Sequence, residues 1–153
     1  MTGRKLSQGE WIVLVVGLLL LVDLLLLPWH AVDLTRTQQA VADAVGFDPT
    51  PSAVQPPGRG YGIAAVIFVL VMIVQIAIAR FTTLRLPEPP VPWSQIHLIA
   101  GIFVLVVLVI KLIRDTSGLG YGAYSGILGG LLAAYGGYLI ASNPGEPAER
   151  PTD

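Results

Sequence analysis

Four long apolar stretches constrain this chain more than any other feature. The first runs from Trp11 to Leu27 and stops at Pro28, and the second runs from Tyr61 to Ala79 and stops at Arg80. The third spans Ser94 to Ile113, ending at Arg114 and Asp115, and the fourth spans Gly120 to Ala141, ending at Asn143 and Pro144. Each holds roughly 17 to 22 residues, close to the ~20 that a helix rising ~1.5 Å per residue needs to cross a ~30 Å hydrocarbon core. Backbone polar groups in lipid must be satisfied within the segment, so stretches of this length are expected to be helices. Periodicity does not separate strand from helix in continuous apolar runs, but length does.

Composition agrees. Of 153 residues, 54% are hydrophobic and 12% charged, against about 25% charge in an average soluble domain. A soluble fold of this size could not hide so much apolar surface. The expectation is an all-α, polytopic membrane protein. It has an up-down-up-down bundle of four helices, at about 11–27, 61–80, 94–114 and 120–141, within a membrane domain of residues 11–141. Residues 1–10 form a short cytoplasmic N-terminus and 142–153 a disordered polar tail. Arg4 and Lys5 before the first stretch resemble the start of a signal peptide, but Pro28-Trp29-His30 is a poor small-residue cleavage site, so the stretch reads as a retained anchor.

The connections differ in kind. Residues 28–60 are polar and carry Asp33, Asp43 and Asp48. Within them Thr35-Arg36-Thr37-Gln38 has the pattern of a capping box opening a short amphipathic helix that Gly46 stops. Pro87, Pro89, Pro90 and Pro92 make the second connection an extended, stiff one. Asp115 to Leu119 is short enough to be a tight turn. Trp11, Trp29, Tyr61, Phe81, Trp93, Tyr121, Tyr124 and Tyr138 all fall near segment ends, where amphipathic rings suit a membrane–water interface. With the termini inside, Arg4, Lys5, Arg80, Arg85 and Arg150 are cytoplasmic, against Arg36, Arg59, Lys111 and Arg114 outside, and the excess favours that orientation.

Charges inside the spans are costly and informative. Asp23 lies about one and a half turns before Pro28, and Lys111 about one turn before Asp115. If the first and third helices run in the same direction, both sit at similar depth, ~6–8 Å below the helix ends. The expectation is an intramembrane ion pair, Asp23–Lys111, that fixes helix register, with Arg114 as the competing partner for Asp23. Lys111 could instead snorkel to the headgroups, and a proton or ion step is the functional alternative. Gln75 is expected to bond a neighbouring helix. His30 and His97 fall at opposite membrane faces and cannot share a metal or haem.

The fourth stretch carries small residues at regular spacing. Gly122, Gly126, Gly130 and Ala134 form one ridge, and Ser125, Gly129, Ala133, Gly137 and Ala141 a second beside it. Such ridges let helix backbones approach closely in lipid. Gly122, Gly126, Gly129, Gly130 and Gly137 are therefore the expected packing residues, toward another helix of the chain or toward a second copy.

Several phrases occur together and in order: Asp23 ahead of Pro28-Trp29, Arg36-Thr37, Arg80-Phe81-Thr82, Pro92-Trp93, Lys111-Leu112, Gly122-Ala123 and Tyr135-Gly136-Gly137-Tyr138-Leu139. From Trp11 to Ala141 the chain resembles a group of uncharacterised small four-helix integral membrane proteins of high-G+C Gram-positive (actinobacterial) bacteria. The resemblance implies topology and a bacterial cytoplasmic membrane rather than a chemistry. The chain departs from the group at Ser125, where many members have a larger residue.

The chemistry the sequence excludes is broad. There are no cysteines and the net charge is −1, so thiolate metal sites are ruled out and no basic face for nucleic acid is expected. No Walker loop, Gly-x-Ser-x-Gly elbow or His-Glu-x-x-His motif occurs. No cofactor is expected. The partners are the lipid bilayer and a membrane protein or second copy. The leading expectation is a non-enzymatic structural or accessory membrane subunit that packs or self-associates through the Gly-rich fourth helix. The alternative is a small oligomeric transporter or channel using Asp23 and Lys111, and a membrane enzyme is a third.

Overall fold

The computed structural model describes residues 5–82, 84, 89–114, 116 and 118–143. The expected disordered tail lies outside the described residues beyond Asn143, as do Arg85 to Glu88 of the Pro-rich connection, and Asp115 and Ser117 of the tight turn. Five helices follow in order: α1 Gln8–Leu26, α2 Arg36–Val45, α3 Arg59–Phe81, α4 Trp93–Arg114 and α5 Tyr121–Ser142. All but α2 are long and apolar enough to cross a membrane.

Local chemistry sets the boundaries. The helix expected to open at Trp11 starts at Gln8, because Ser7 and Glu10 form a capping box: the Glu10 N–H donates to the Ser7 hydroxyl, and the Ser7 N–H donates to Glu10 Oε2 at 2.8 Å. α1 stops because Leu27, ahead of a proline, is extended. α2 opens on Thr35, whose hydroxyl accepts from the Gln38 N–H, and closes on Gly46 in the left-handed conformation. A residue without a Cβ adopts that conformation readily.

The four long helices form a ring in which α1 packs on α5, α5 on α4, α4 on α3 and α3 on α1, with α4–α5 the most extensive pair. The backbones of the diagonal pairs, α1 with α4 and α3 with α5, do not approach closely; their side chains share the central core. Gly9 near the start of α1 lies against Gly136 and Ile140 late in α5, while Pro28, just past the end of α1, lies against Gly120 and Gly122 at the start of α5. On α4, Gly101 lies against Ala133 and Ala134, and Phe68 of α3 meets Phe103 of α4 with ring centroids 4.3 Å apart.

The small residues of α5 divide between two neighbours. A Cβ at Gly126 would come within 2.9 Å of Asp23 Oδ2, one at Gly129 within 3.0 Å of Leu20, and one at Gly136 within 2.9 Å of Val13, all on α1. Gly122 faces the Pro28 carbonyl at 2.7 Å. Gly130 and Gly137 instead face α4, at Leu105 and at the His97 carbonyl. Neither ridge serves a single neighbour: the first meets both α1 and α4, and so does the second.

The interior between the ends is apolar: Val13, Leu20, Leu24, Val69, Met72, Ile76, Val104 and Leu108 are all buried. Large aliphatic side chains are also exposed around the outside, among them Leu18, Leu19, Val22, Ile67, Val74, Ile99, Val106, Leu128 and Leu131. A surface this apolar suits hydrocarbon better than water.

Candidate functional site

The polar groups gather at the two ends of the bundle, and the richer end is the one covered by residues 28–58. Past Leu27 the chain cannot continue as a helix, and residues 28–32 are threaded between two other segments. The Trp29 N–H donates to the Pro51 carbonyl at 2.9 Å, and Val32 N–H to Pro49 at 3.1 Å. On the other side Gly120 N–H donates to the Trp29 carbonyl at 2.8 Å, Gly122 N–H to Pro28 at 3.0 Å, and Ala31 N–H to Gly118 at 2.6 Å. Irregular backbone at the end of an apolar bundle thereby keeps its hydrogen bonds. The approach is close enough that a Cβ at Gly120 would run into the Pro28 carbonyl, and one at Gly62 into that of Ala53.

This backbone drives Trp29 into the bundle. The indole was expected at a membrane interface; instead it is 1% exposed and packs among Leu20, Leu24, Ala53, Val104, Leu108 and Ala123. Its Nε1 has no hydrogen-bond partner among the described residues. His30 is buried as well, at the bridge between its own segment and Leu119.

Asp23 and Lys111 both reach this end, and both neighbour Trp29. Asp23 is buried, accepts a hydrogen bond at Oδ1 from the Ser125 hydroxyl, and turns Oδ2 toward Gly126 and the indole edge. That Oδ2 has no hydrogen-bond partner among the described residues. Lys111 is 1% exposed; its Nζ donates to the Pro57 carbonyl at 2.7 Å and lies 5.4 Å from the Trp29 ring centroid. The expected Asp23–Lys111 ion pair is thus not formed. Both residues lie toward the same end of the bundle, but α1 and α4 are diagonal in the ring, and Trp29 lies beside both side chains at that level. Arg114 does not compete for Asp23 either: its guanidinium lies over the Tyr61 ring, 5.8 Å from the centroid.

Two features flank this cluster. Asp23 and Ser125 supply the polar side chains of an otherwise aliphatic groove of about 320 Å³ between α1 and α5, with Val16, Leu19, Leu128 and Leu132 along its walls. A separate cavity of about 240 Å³ opens beside Pro57, Gly58, Tyr61, Lys111 and Arg114.

The opposite end holds one ion pair the sequence reading missed. Arg80 donates from Nε to Glu10 Oε1 at 2.8 Å, and its Nη2 lies 2.7 Å from the same oxygen. By sequence Arg80 counts as loop charge and Glu10 falls in the N-terminal segment; the Ser7-x-x-Glu10 pattern is the signal that places Glu10 on α1. His97 is 3% exposed, with Nδ1 2.8 Å from the Trp93 carbonyl and Nε2 3.4 Å from that of Met72. Both ring nitrogens face backbone oxygens. Gln75 is half-buried beside Val71, Ile78 and Trp93 in a shallow groove. Among the described residues no group of three His, Cys, Asp or Glu side chains is placed to hold a metal ion.

The described geometry therefore offers one carboxylate with a hydroxyl partner, one buried ammonium and one outward guanidinium at the same end, separated by an indole. Comparison of the chain with protein families, curated proteins and solved structures finds no match in any of the three.

Proposed function

We propose that this chain is a non-enzymatic multi-pass protein of a bacterial cytoplasmic membrane, acting as a structural or accessory subunit. In this reading the four long helices cross the bilayer in up-down-up-down order with both termini cytoplasmic, and α2 lies amphipathically on the outer surface. The observation that carries it is the distribution of polarity among the described residues: aliphatic side chains outside, an apolar core, and charged groups toward the two ends. That pattern supports burial in hydrocarbon, and among the described residues it offers no continuous polar route through one copy of the chain. The Gly-rich α5 serves as the internal packing helix, and contacts with a partner membrane protein or a second copy use the outer faces. The resemblance to small four-helix proteins of high-G+C Gram-positive bacteria supports the compartment.

The test is purification from native membranes in mild detergent, followed by mass spectrometry of what co-purifies. A reproducible larger membrane partner is expected, and a chain recovered without one refutes the accessory role. Reporter fusions at the C-terminus check the orientation, and an external C-terminus overturns it.

A second reading, a small oligomeric transporter, is favoured by one observation: Asp23 and Ser125 line a groove that opens on the outer surface between α1 and α5. Solute or proton flux in proteoliposomes that Asp23→Asn abolishes would establish it in place of the first.

A further inference from the structure

Of the four long helices, α3 is packed least within the chain. Among the described residues its contacts with α4 and α1 are the two least extensive in the ring, and Ile63, Ile67, Leu70, Val71 and Val74 stay exposed along it. In that aliphatic face stands the carboxamide of Gln75. Val71, Val74, Gln75 and Ile78 follow the i, i+3, i+4, i+7 spacing of a single helix face. With Leu70 and Trp93 they line a groove of about 290 Å³.

Depth makes this carboxamide costly. Arg80, tied to Glu10, marks the polar rim at one end of α3, and Tyr61, beside the Arg114 guanidinium, marks the other. The helix rises about 28 Å between them, close to the thickness of a hydrocarbon core. Gln75 comes five residues before Arg80, so it stands about 7 Å inside that rim. Its side chain is half-buried and makes no hydrogen bond among the described residues. A primary amide carries two N–H donors and a carbonyl acceptor, and leaving them unmet in hydrocarbon is unfavourable. A polar side chain on a lipid-facing helix is relieved by a hydrogen bond to another helix.

Symmetry identifies the other helix. Two copies inserted the same way into one bilayer are related by a two-fold axis along the membrane normal, which sets Gln75 opposite the same residue of the second copy at equal depth. A carboxamide is its own complement: an N–H of each donates to the carbonyl of the other, and two hydrogen bonds close at once.

We propose that the outer face of α3 is a homodimer seam, in which a second copy of this chain lays its own α3 into the groove and the two Gln75 carboxamides pair across the axis. Val71, Val74 and Ile78 supply the apolar contact around the pair. α5, whose small residues meet α1 and α4, stays outside the seam. The seam rests on the membrane reading above, since the pairing matters only where water is excluded; it does not require the accessory role.

The chain has no cysteine, so single introduced cysteines report which faces meet. Val71→Cys and Val74→Cys, on the exposed face of α3, and Leu128→Cys, on that of α5, are each oxidised with copper phenanthroline in native membranes. The two α3 variants are expected to give a product of twice the chain's mass, and Leu128→Cys is not. Absence of that product from both α3 variants, their joining to a different protein, or an equal yield from Leu128→Cys overturns the seam. Energy transfer between donor- and acceptor-labelled copies in phosphatidylcholine vesicles then measures the affinity. Gln75→Leu, which leaves the core contacts intact, is expected to weaken association about tenfold, the scale of two lost interhelical hydrogen bonds. Gln75→Asn, which keeps the amide, should lose less. Association unchanged in Gln75→Leu refutes the carboxamide pair. An alkaline carbonate wash separates the two failures. A chain released by it refutes the membrane reading, whereas a retained chain that does not self-associate refutes the seam alone.

Discussion

Gly137 is where the packing of α5 against α4 is most exposed to a one-atom test. A Cβ built there would lie 2.6 Å from the His97 carbonyl oxygen, 2.9 Å from its carbon and 3.1 Å from the Leu98 Cα. Ordinary contact begins near 3.4 Å, so Gly137→Ala overlaps by about 0.8 Å, against a helix backbone that no side-chain rotation can relieve. Overpacking of this kind costs about 1–3 kcal/mol, while alanine returns about 1 kcal/mol in helix propensity. The net is a loss of about 1 kcal/mol. Gly130, on the same helix and facing the same neighbour, is the internal control, because its added Cβ would meet Leu105 and Leu108 at 3.4 Å. There the propensity gain of about 0.5–1 kcal/mol goes unopposed. The two alanine variants should therefore differ by about 2 kcal/mol in opposite directions from the parent. Reversible unfolding in mixed micelles with increasing dodecyl sulfate, followed by far-ultraviolet circular dichroism, measures the difference. A Gly137→Ala protein as stable as Gly130→Ala would refute the close α4–α5 approach.

Three further outcomes follow from the two ends of the bundle. Double-mutant cycles should give Asp23 and Ser125 a coupling of about 1 kcal/mol or more, and Asp23 with Lys111 a smaller one. Rescue of expression by exchanging Asp23 and Lys111 would restore the direct ion pair and refute the geometry described above. Trp29→Ala should cost about 3–5 kcal/mol, whereas Trp29→Phe should be milder because the indole Nε1 makes no hydrogen bond among the described residues; equal losses in the two would show that packing is not what Trp29 supplies. Glu10 and Arg80 are only partly shielded, at 12% and 24% side-chain exposure, so their coupling should be about 0.5–1 kcal/mol and should shrink in high salt. A value unmoved by salt would argue against an ion pair.

The long elements were legible because their signal is length: a run of twenty apolar residues leaves little but a helix. The caps were legible where side chains announce them, as at Thr35 and Gly46, and the earlier start of α1 could have been read from Ser7 and Glu10. What the sequence could not show was neighbourhood. Depth along a helix is readable from residue spacing, but the order of helices around the ring is not, and that order separates Asp23 from Lys111. The same limit hid the pairing of Ser125 with Asp23, because a small residue on a ridge does not announce which helix it faces. Trp29 was misread for a different reason. A tryptophan next to a proline at a segment end has the composition of an interfacial anchor, and only the backbone bonds of residues 28–32 to both flanking segments turn it inward. Arg114 was noticed as a charge but not as one wall of a cavity, since the opposite wall, Pro57 to Tyr61, comes from a stretch over fifty positions earlier.

The threading of Pro28 to Val32 between two distant segments also orders assembly in time. Its first partners, Pro49 and Pro51, are synthesised about twenty residues later, but the other side waits for Gly118, Gly120 and Gly122. Until α5 emerges, the carbonyls of Pro28 and Trp29 lack those donors and α1 lacks the neighbour with its most intimate glycine contacts. The last helix made is therefore the keystone, and a chain interrupted after α4 would leave the whole capped end unlatched.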